Sequence, residues 1–142
     1  MAITRAQAIT QTQKKVEVYS DFTNNFIRHP ITNELVTVKN EDAVRQAFKN
    51  LILTNINERF FNPFFGSNVN TVLFDNFGPF MIEDIVKYVN MSAKQFENRV
   101  TVLSVTVTDQ SDSNAIAINV VFSLINNPTV PLQLNLFVKR VR

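Results

Sequence analysis

The sequence predicts an α+β fold, with an N-terminal hairpin and two helices packed against a C-terminal antiparallel sheet of about three strands. Three observations carry that prediction. Apolar residues recur at three- and four-residue spacing in two stretches, Val44 to Ile56 and Ile82 to Ala93. From Leu103 onward the period falls to two, in runs separated by turn-forming residues. Ahead of both lies a short segment in which two apolar groups flank proline and asparagine.

Residues 1–18 read as an arm, rich in Ala, Thr, Gln and Lys and free of aromatic residues, expected to stay extended until a partner binds it. A single domain is expected over 19–142. Between Tyr19 and Val38, the groups Phe22, Phe26, Ile27 and Leu35, Val36, Val38 flank His29-Pro30 and Thr32-Asn33, which predicts a loose hairpin. His29 is the only imidazole and precedes a proline, which marks it as a turn residue rather than a catalyst.

The first helix is predicted over about 41–60. Asn40 stands where an N-cap belongs, Glu41 and Asp42 complement the helix dipole, and Glu41 can pair with Arg45 one turn on. Val44, Ala47, Phe48, Leu51, Ile52, Asn55 and Ile56 make one stripe. The second helix should start after Gly78, because Pro79 suits a first turn where its missing N–H would have had no partner.

In the sheet, Leu103, Val105 and Val107 are expected on one face, followed by a six-residue loop from Asp109 to Asn114. Ile116, Ile118, Val120, Phe122 and Leu124 then face the same way. The last strand alternates Leu132, Leu134, Leu136 and Val138 with Gln133, Asn135, Phe137 and Lys139. Each fully buried side chain of this kind contributes about 1.5–3 kcal/mol, so a one-residue slip would expose the whole set. Three strands leave two edges. Pro128, Pro131, Lys139 and Arg140 guard only the ends of the last strand, so its middle is either covered by a helix or hairpin or open to strand addition along Leu132, Leu134, Leu136 and Val138.

Between the helices runs Glu58-Arg59-Phe60-Phe61-Asn62-Pro63-Phe64-Phe65-Gly66-Ser67. Seven of the 13 Phe lie between Phe60 and Phe80, with both glycines in or beside that window. A glycine there implies positive φ or a close backbone approach, and Pro63 fixes a further angle. Phe60, Phe61, Pro63, Phe65 and Gly66 are therefore expected to form a rigid structural connector.

Composition removes much chemistry. With no Cys and 1 His the chain offers no thiolate nucleophile and no ordinary catalytic zinc site, and 2 Gly do not make a phosphate cradle. No cofactor or metal is expected. The balance of 14 Lys+Arg against 12 Asp+Glu has no basic stripe beyond Lys139, Arg140 and Arg142, so nucleic acid is not an expected partner. Neither a membrane span nor a signal-peptide core is legible, and a cytoplasm-like compartment is expected.

The ordered series Tyr19-Ser20-Asp21-Phe22, His29-Pro30, Thr32-Asn33, Asp42-Ala43-Val44, Leu51-Ile52-Leu53-Thr54, Glu58-Arg59-Phe60, Asn62-Pro63, Phe65-Gly66-Ser67, Leu73-Phe74 and Phe96-Glu97-Asn98-Arg99-Val100 resembles contractile-tail baseplate wedge proteins of the phage gene-25-product type. That family is related to a baseplate subunit of type VI secretion systems. Two departures stand out: the family's Glu-Pro-Arg triplet is Glu97-Asn98-Arg99 here, and the glycine that commonly precedes Glu-Arg is Asn57. Asn can occupy a left-handed conformation at moderate cost.

The resemblance implies a structural subunit of the virion tail baseplate, assembled in the host cytoplasm. Its implied partners are other baseplate wedge proteins, tail-sheath subunits and tail-tube or hub proteins. It further implies that Glu97, Asn98 and Arg99, with Glu58 and Arg59, contact the wedge core, and that the sheet accepts strands from the first sheath ring. Each charged pair can equally form an intramolecular bridge that fixes its corner. Two alternatives remain open. Some relatives carry a lysozyme label, for which Glu34, Glu58, Asp75 and Glu97 are the candidate carboxyls. A regulatory binding module also shares the fold.

Overall fold

The computed structural model describes residues 18–74, 77–110 and 115–139. The expected arm, apart from Val18, lies outside the described residues. The elements follow the predicted α+β order: β1 (Ser20–Phe22), β2 (Thr37–Lys39), α1 (Glu41–Leu53), a short α2 (Val69–Val72), α3 (Pro79–Phe96), β3 (Val100–Gln110), β4 (Ala115–Leu124) and β5 (Asn127–Lys139). β1 pairs antiparallel with β2, and the second sheet has the antiparallel order β3-β4-β5.

The N-terminal hairpin turns where the sequence placed it. His29 Nδ1 accepts hydrogen bonds from the Ile31 and Thr32 N–H groups, both at 3.3 Å, so the imidazole serves the turn. Asn40 departs from the expected cap: its backbone has φ 51° and its Oδ1 accepts from the N–H groups of Val18 at 2.8 Å and Tyr19 at 3.4 Å. The helix start is satisfied by main chain, with Val44 N–H donating to Asn40 C=O at 3.1 Å. Arg45 bridges Asp42 at 2.9 Å, one residue along from the expected Glu41.

α1 ends at Leu53, seven residues before its expected limit of Phe60. Thr54 is extended, and its hydroxyl donates to Asn50 C=O at 2.7 Å. The Thr-Asn-Ile-Asn run that follows supplies local hydrogen bonds that compete with helix, and Asn57 takes φ 70°, the left-handed conformation open to it in place of glycine. Asn55 and Ile56 are thus off the helical stripe. Of the remaining positions Val44, Phe48, Leu51 and Ile52 are buried and Ala47 is half-buried, with the Phe48 and Phe122 rings edge-to-face at 5.4 Å. Met81, Ile85, Val89 and Ala93 of α3 complete the helical side of the core, and Ile116, Ile118, Val120 and Phe122 of β4 the sheet side.

The connector doubles back so that Ser67 N–H donates to Thr54 C=O at 2.8 Å. Asn57 N–H reaches Pro63 C=O at 2.7 Å, and the Ser67 hydroxyl donates to Ile52 C=O at 2.6 Å. Gly66 has φ 135°, and a Cβ there would sit 2.6 Å from the Thr54 carbonyl oxygen, which meets the close-approach expectation. Gly66→Ala should therefore cost about 2 kcal/mol or more, read as a lowered chemical-denaturation midpoint with unchanged m-value. Gly78 has open space around it and simply caps α3 with extended backbone. The aromatic expectation holds only in part. Phe65 packs on Phe96 at 5.1 Å, but Phe60 and Phe61 are 98% and 105% exposed and lock nothing within the chain.

In the sheet, β3 extends two residues into the expected loop, pairing Asp109 with Ile116 and Gln110 with Ala115 of β4. A bulge between Val102 and Ser104 overturns the expected face of Leu103: Val102 takes the inward position with Val105 and Val107, and Leu103 is 56% exposed. β5 starts earlier than expected, directly after a two-residue turn at Ile125-Asn126. Its register jumps from Leu124–Asn127 to Ser123–Pro131, which places Pro128 in a bulge and Pro131 on an edge strand, both positions that tolerate a missing N–H.

Candidate functional site

The expected wedge-contact residues gather at the corner where α3 gives way to β3. α3 ends at Phe96. Glu97 N–H donates to Ala93 C=O at 2.9 Å, and Val100 N–H to Glu97 C=O at 3.1 Å, closing a turn with Asn98 and Arg99 at its centre. Glu97 is 6% exposed. Its two carboxylate oxygens accept from Arg99 Nε and Nη2, each at 2.6 Å, a bidentate charge-assisted pair within the chain. That hydrogen bond raises the Arg99 pKa above its ordinary value; burial opposes the rise, and the Glu97 charge reinforces it. The Arg99 guanidinium also lies 5.2 Å from the Tyr19 ring centroid.

Asn98 occupies the second position of the turn, is exposed, and has negative φ. Proline is favoured there. Asn98→Pro, which restores the triplet of the resembled family, should stabilise the protein by about 0.4–1 kcal/mol through the unfolded chain, measured as a higher melting temperature.

Arg59 lines the same cleft, of about 300 Å³, together with Asp21, Phe65, Phe96, Glu97 and Arg99. Its guanidinium sits 4.0 Å above the Phe65 ring centroid. The Ser92 hydroxyl donates to Gly66 C=O at 3.0 Å, which ties the connector to α3 and fixes both walls of the cleft. Glu58 is not part of this lining: its Oε2 accepts from Asn55 N–H at 2.7 Å and closes the turn after α1. Of the five predicted contact residues, the structure thus brings Arg59, Glu97 and Arg99 together, with Asn98 on the adjoining surface and Glu58 assigned to the turn.

The predicted strand-addition residues are on an edge strand, but their side chains are not at its edge. Leu132, Leu134 and Leu136 are buried and Val138 packs against the core. Main-chain direction follows from register. Ile125 N–H donates to Arg99 C=O at 3.0 Å, so odd-numbered positions at this end of β4 address β3 and even-numbered ones address β5. Leu132, Leu134 and Leu136 pair with Phe122, Val120 and Ile118, and therefore spend their N–H and C=O groups on β4. The outward groups belong to Pro131, Gln133, Asn135 and Phe137. Pro131 fits that assignment, since its ring nitrogen then points away from the ladder. The sequence held this signal only in the pairing of a two-residue turn with the proline parity.

A groove of about 350 Å³ runs beside this edge, between Gln133, Leu134 and Asn135 of β5 and the Asp42, Arg45, Gln46 and Lys49 stripe of α1. Residues from both faces of β5 line it, as they must if it follows the strand's free margin. Asn24 closes one end and is tied to α1 through Gln46 and Asn50.

Among the described candidate acids, Glu34 is exposed in the hairpin turn, Glu58 caps a turn and Glu97 is occupied by Arg99. Asp75 lies outside the described residues. Among the described residues, no three His, Asp or Glu side chains gather into a metal-binding group, and no helix is long and apolar enough to cross a membrane.

A small α+β core, a braced charged corner and a sheet margin that is unpaired among the described residues are the features of a structural subunit. The family model for baseplate wedge protein gp25 matches residues 38–129, and the chain belongs to that family of phage tail baseplate subunits. The matched span contains the connector and the corner and ends inside β5. Baseplate wedge protein gp25 of Enterobacteria phage T4 is 26% identical over 86 residues, which is 61% of this chain and 65% of that protein, just under two thirds of its length. A crystal structure from Geobacter sulfurreducens, described as a tail lysozyme, superposes with a TM-score of 0.62 at 19% identity, covering 72% of this chain and 94% of that one. A chain of the anti-feeding prophage baseplate, determined by cryo-electron microscopy, gives 0.67 at 18% identity, covering 75% and 85%. At these identities the two structures speak for the fold alone.

Proposed function

We propose that this chain joins the wedge core through the Glu97–Arg99 corner and starts tail-sheath polymerisation by accepting a sheath strand along β5. The observation that carries the second half is the groove beside β5 at Gln133 to Asn135, together with a register that turns the N–H and C=O groups of residues 133, 135 and 137 away from β4, without a partner strand among the described residues. Main-chain pairing supplies affinity there and the alternating side chains fix register. At the corner, the Glu97–Arg99 pair holds the turn, while Arg59 and Asn98 meet the wedge partner on its surface. Tail-tube or hub proteins are further neighbours, and the finished place is the tail baseplate of the virion, reached after assembly in the host cytoplasm.

The test is reconstitution of the purified chain with the wedge and sheath subunits of the same phage, imaged by negative-stain electron microscopy. Sheaths should grow from complexes that contain this chain and not from those that lack it. Equal growth in both would overturn the proposal. The lysozyme description of one structural neighbour motivates an enzymatic reading, but both Glu97 oxygens are taken up by the Arg99 guanidinium at 2.6 Å, which leaves neither placed to serve a leaving group. Purified protein should leave peptidoglycan intact.

A further inference from the structure

We infer that the strand added to β5 carries a carboxylate on the face turned toward α1, and that Lys49 and Arg45 select it. This rests on the strand-addition reading above. The groove wall opposite β5 is one helical stripe, Asp42, Arg45, Gln46 and Lys49, at spacings that place these side chains side by side. Their hydrogen bonds are unequally spent. Gln46 is engaged, donating to Phe22 C=O at 2.6 Å and accepting from Asn24 N–H at 3.3 Å. Asp42 is engaged by Arg45 Nη1 at 2.9 Å.

Two cationic donors are left. Arg45 Nε is buried without a hydrogen-bond partner, and Lys49 has no hydrogen-bond or ion-pair partner among the described residues. A buried donor in that state calls for an acceptor, and with Asp42 already engaged the groove carries one net positive charge. The β5 side contributes only the neutral Gln133, Leu134 and Asn135. An incoming strand at the margin alternates its side chains between the two sheet faces, so every second one enters the groove toward α1. An Asp or Glu there would accept from the exposed Lys49 in place of water, with the Arg45 guanidinium adding positive charge beside it, and a Lys or Arg would be repelled. Main-chain pairing accepts any extended segment, and this contact gives the margin its preference.

The experiment measures binding of the purified sheath subunit of the same phage to the full chain, with and without substitution, at low and high salt. Lys49 is exposed, so Lys49→Glu should fold with an unchanged melting temperature, weaken binding about tenfold at low salt and flatten the salt dependence. Lys49→Arg should bind as the parent does, and Asp/Glu→Lys at one position of the sheath's added segment should restore binding to Lys49→Glu. Unchanged affinity in both Lys49→Glu and Arg45→Gln would overturn the inference. Asn135→Pro separates the two levels. If it abolishes binding while the charge variants do not, strand addition stands and the carboxylate assignment falls; if it binds normally, both fall.

Discussion

Arg99→Leu should lower stability by about 2–4 kcal/mol, a drop in melting temperature of roughly 10 °C, because it strips the partner from a carboxylate that is almost wholly buried. Glu97 has 8% of its side chain exposed, and both oxygens accept from Arg99. The leucine variant leaves that charge to the protein interior. Arg99 itself is 36% exposed, which lets water reach the vacated side and keeps the loss below that of a fully enclosed pair. The double variant Glu97→Gln with Arg99→Leu removes the orphaned charge and should recover more than half of the loss. Wedge assembly supplies the second readout. Arg99→Lys keeps the charge but loses the bidentate fork, so it should fold with a modest penalty and show whether the partner senses the charge or the shape of the turn. If Arg99→Leu melts with the parent protein, the pair does not brace the corner.

Much of the fold was legible because the core is one-sided. Ile116 to Leu124 and Leu132 to Val138 alternate since one face of the sheet is packed by helices, and Val44 to Ile52 repeat helically since α1 lies on that face. Gly66 was legible because no other residue accepts its φ beside a carbonyl oxygen. What escaped the sequence depends on contacts remote along the chain. The connector is folded back on the end of α1 by a main-chain bond from Ser67 to Thr54, and the side chain of Asn40 is claimed by Val18 and Tyr19. The bulge at Leu103 trades one apolar residue for another, so periodicity alone gives no warning. At the candidate site Arg59, Glu97 and Arg99 line one cleft, but a bidentate Glu–Arg bond depends on turn geometry that the triplet does not spell out. Phe60 and Phe61 show the opposite limit. Their density suggested an internal lock, yet a loop whose ends are pinned at Thr54 and Ser67 turns them to solvent.

The sheet margin makes the sharpest demand, since two adjacent proline substitutions on β5 should fail in opposite ways. Leu134 N–H serves the ladder to Val120 and its side chain is 4% exposed, so Leu134→Pro removes a ladder bond, opens a cavity in the core and should unfold the protein. The combined cost is about 4 kcal/mol or more. Asn135 N–H faces the groove. Asn135→Pro leaves the β4–β5 ladder intact, sits on an edge where proline is tolerated, and should cost no more than about 1 kcal/mol. Its effect falls on the partner: the missing donor and the ring at the margin prevent an added strand from closing its pairing, so baseplates should form and sheaths should not start. Asn135→Ala keeps the donor and serves as the control, with sheath growth retained. The contrast tests register as well as function. A folded Leu134→Pro and an unfolded Asn135→Pro would mean that the even-numbered residues face outward. A folded Asn135→Pro that still nucleates sheath would remove β5 as the point of attachment and leave the corner cleft as the surface on which this subunit joins its assembly.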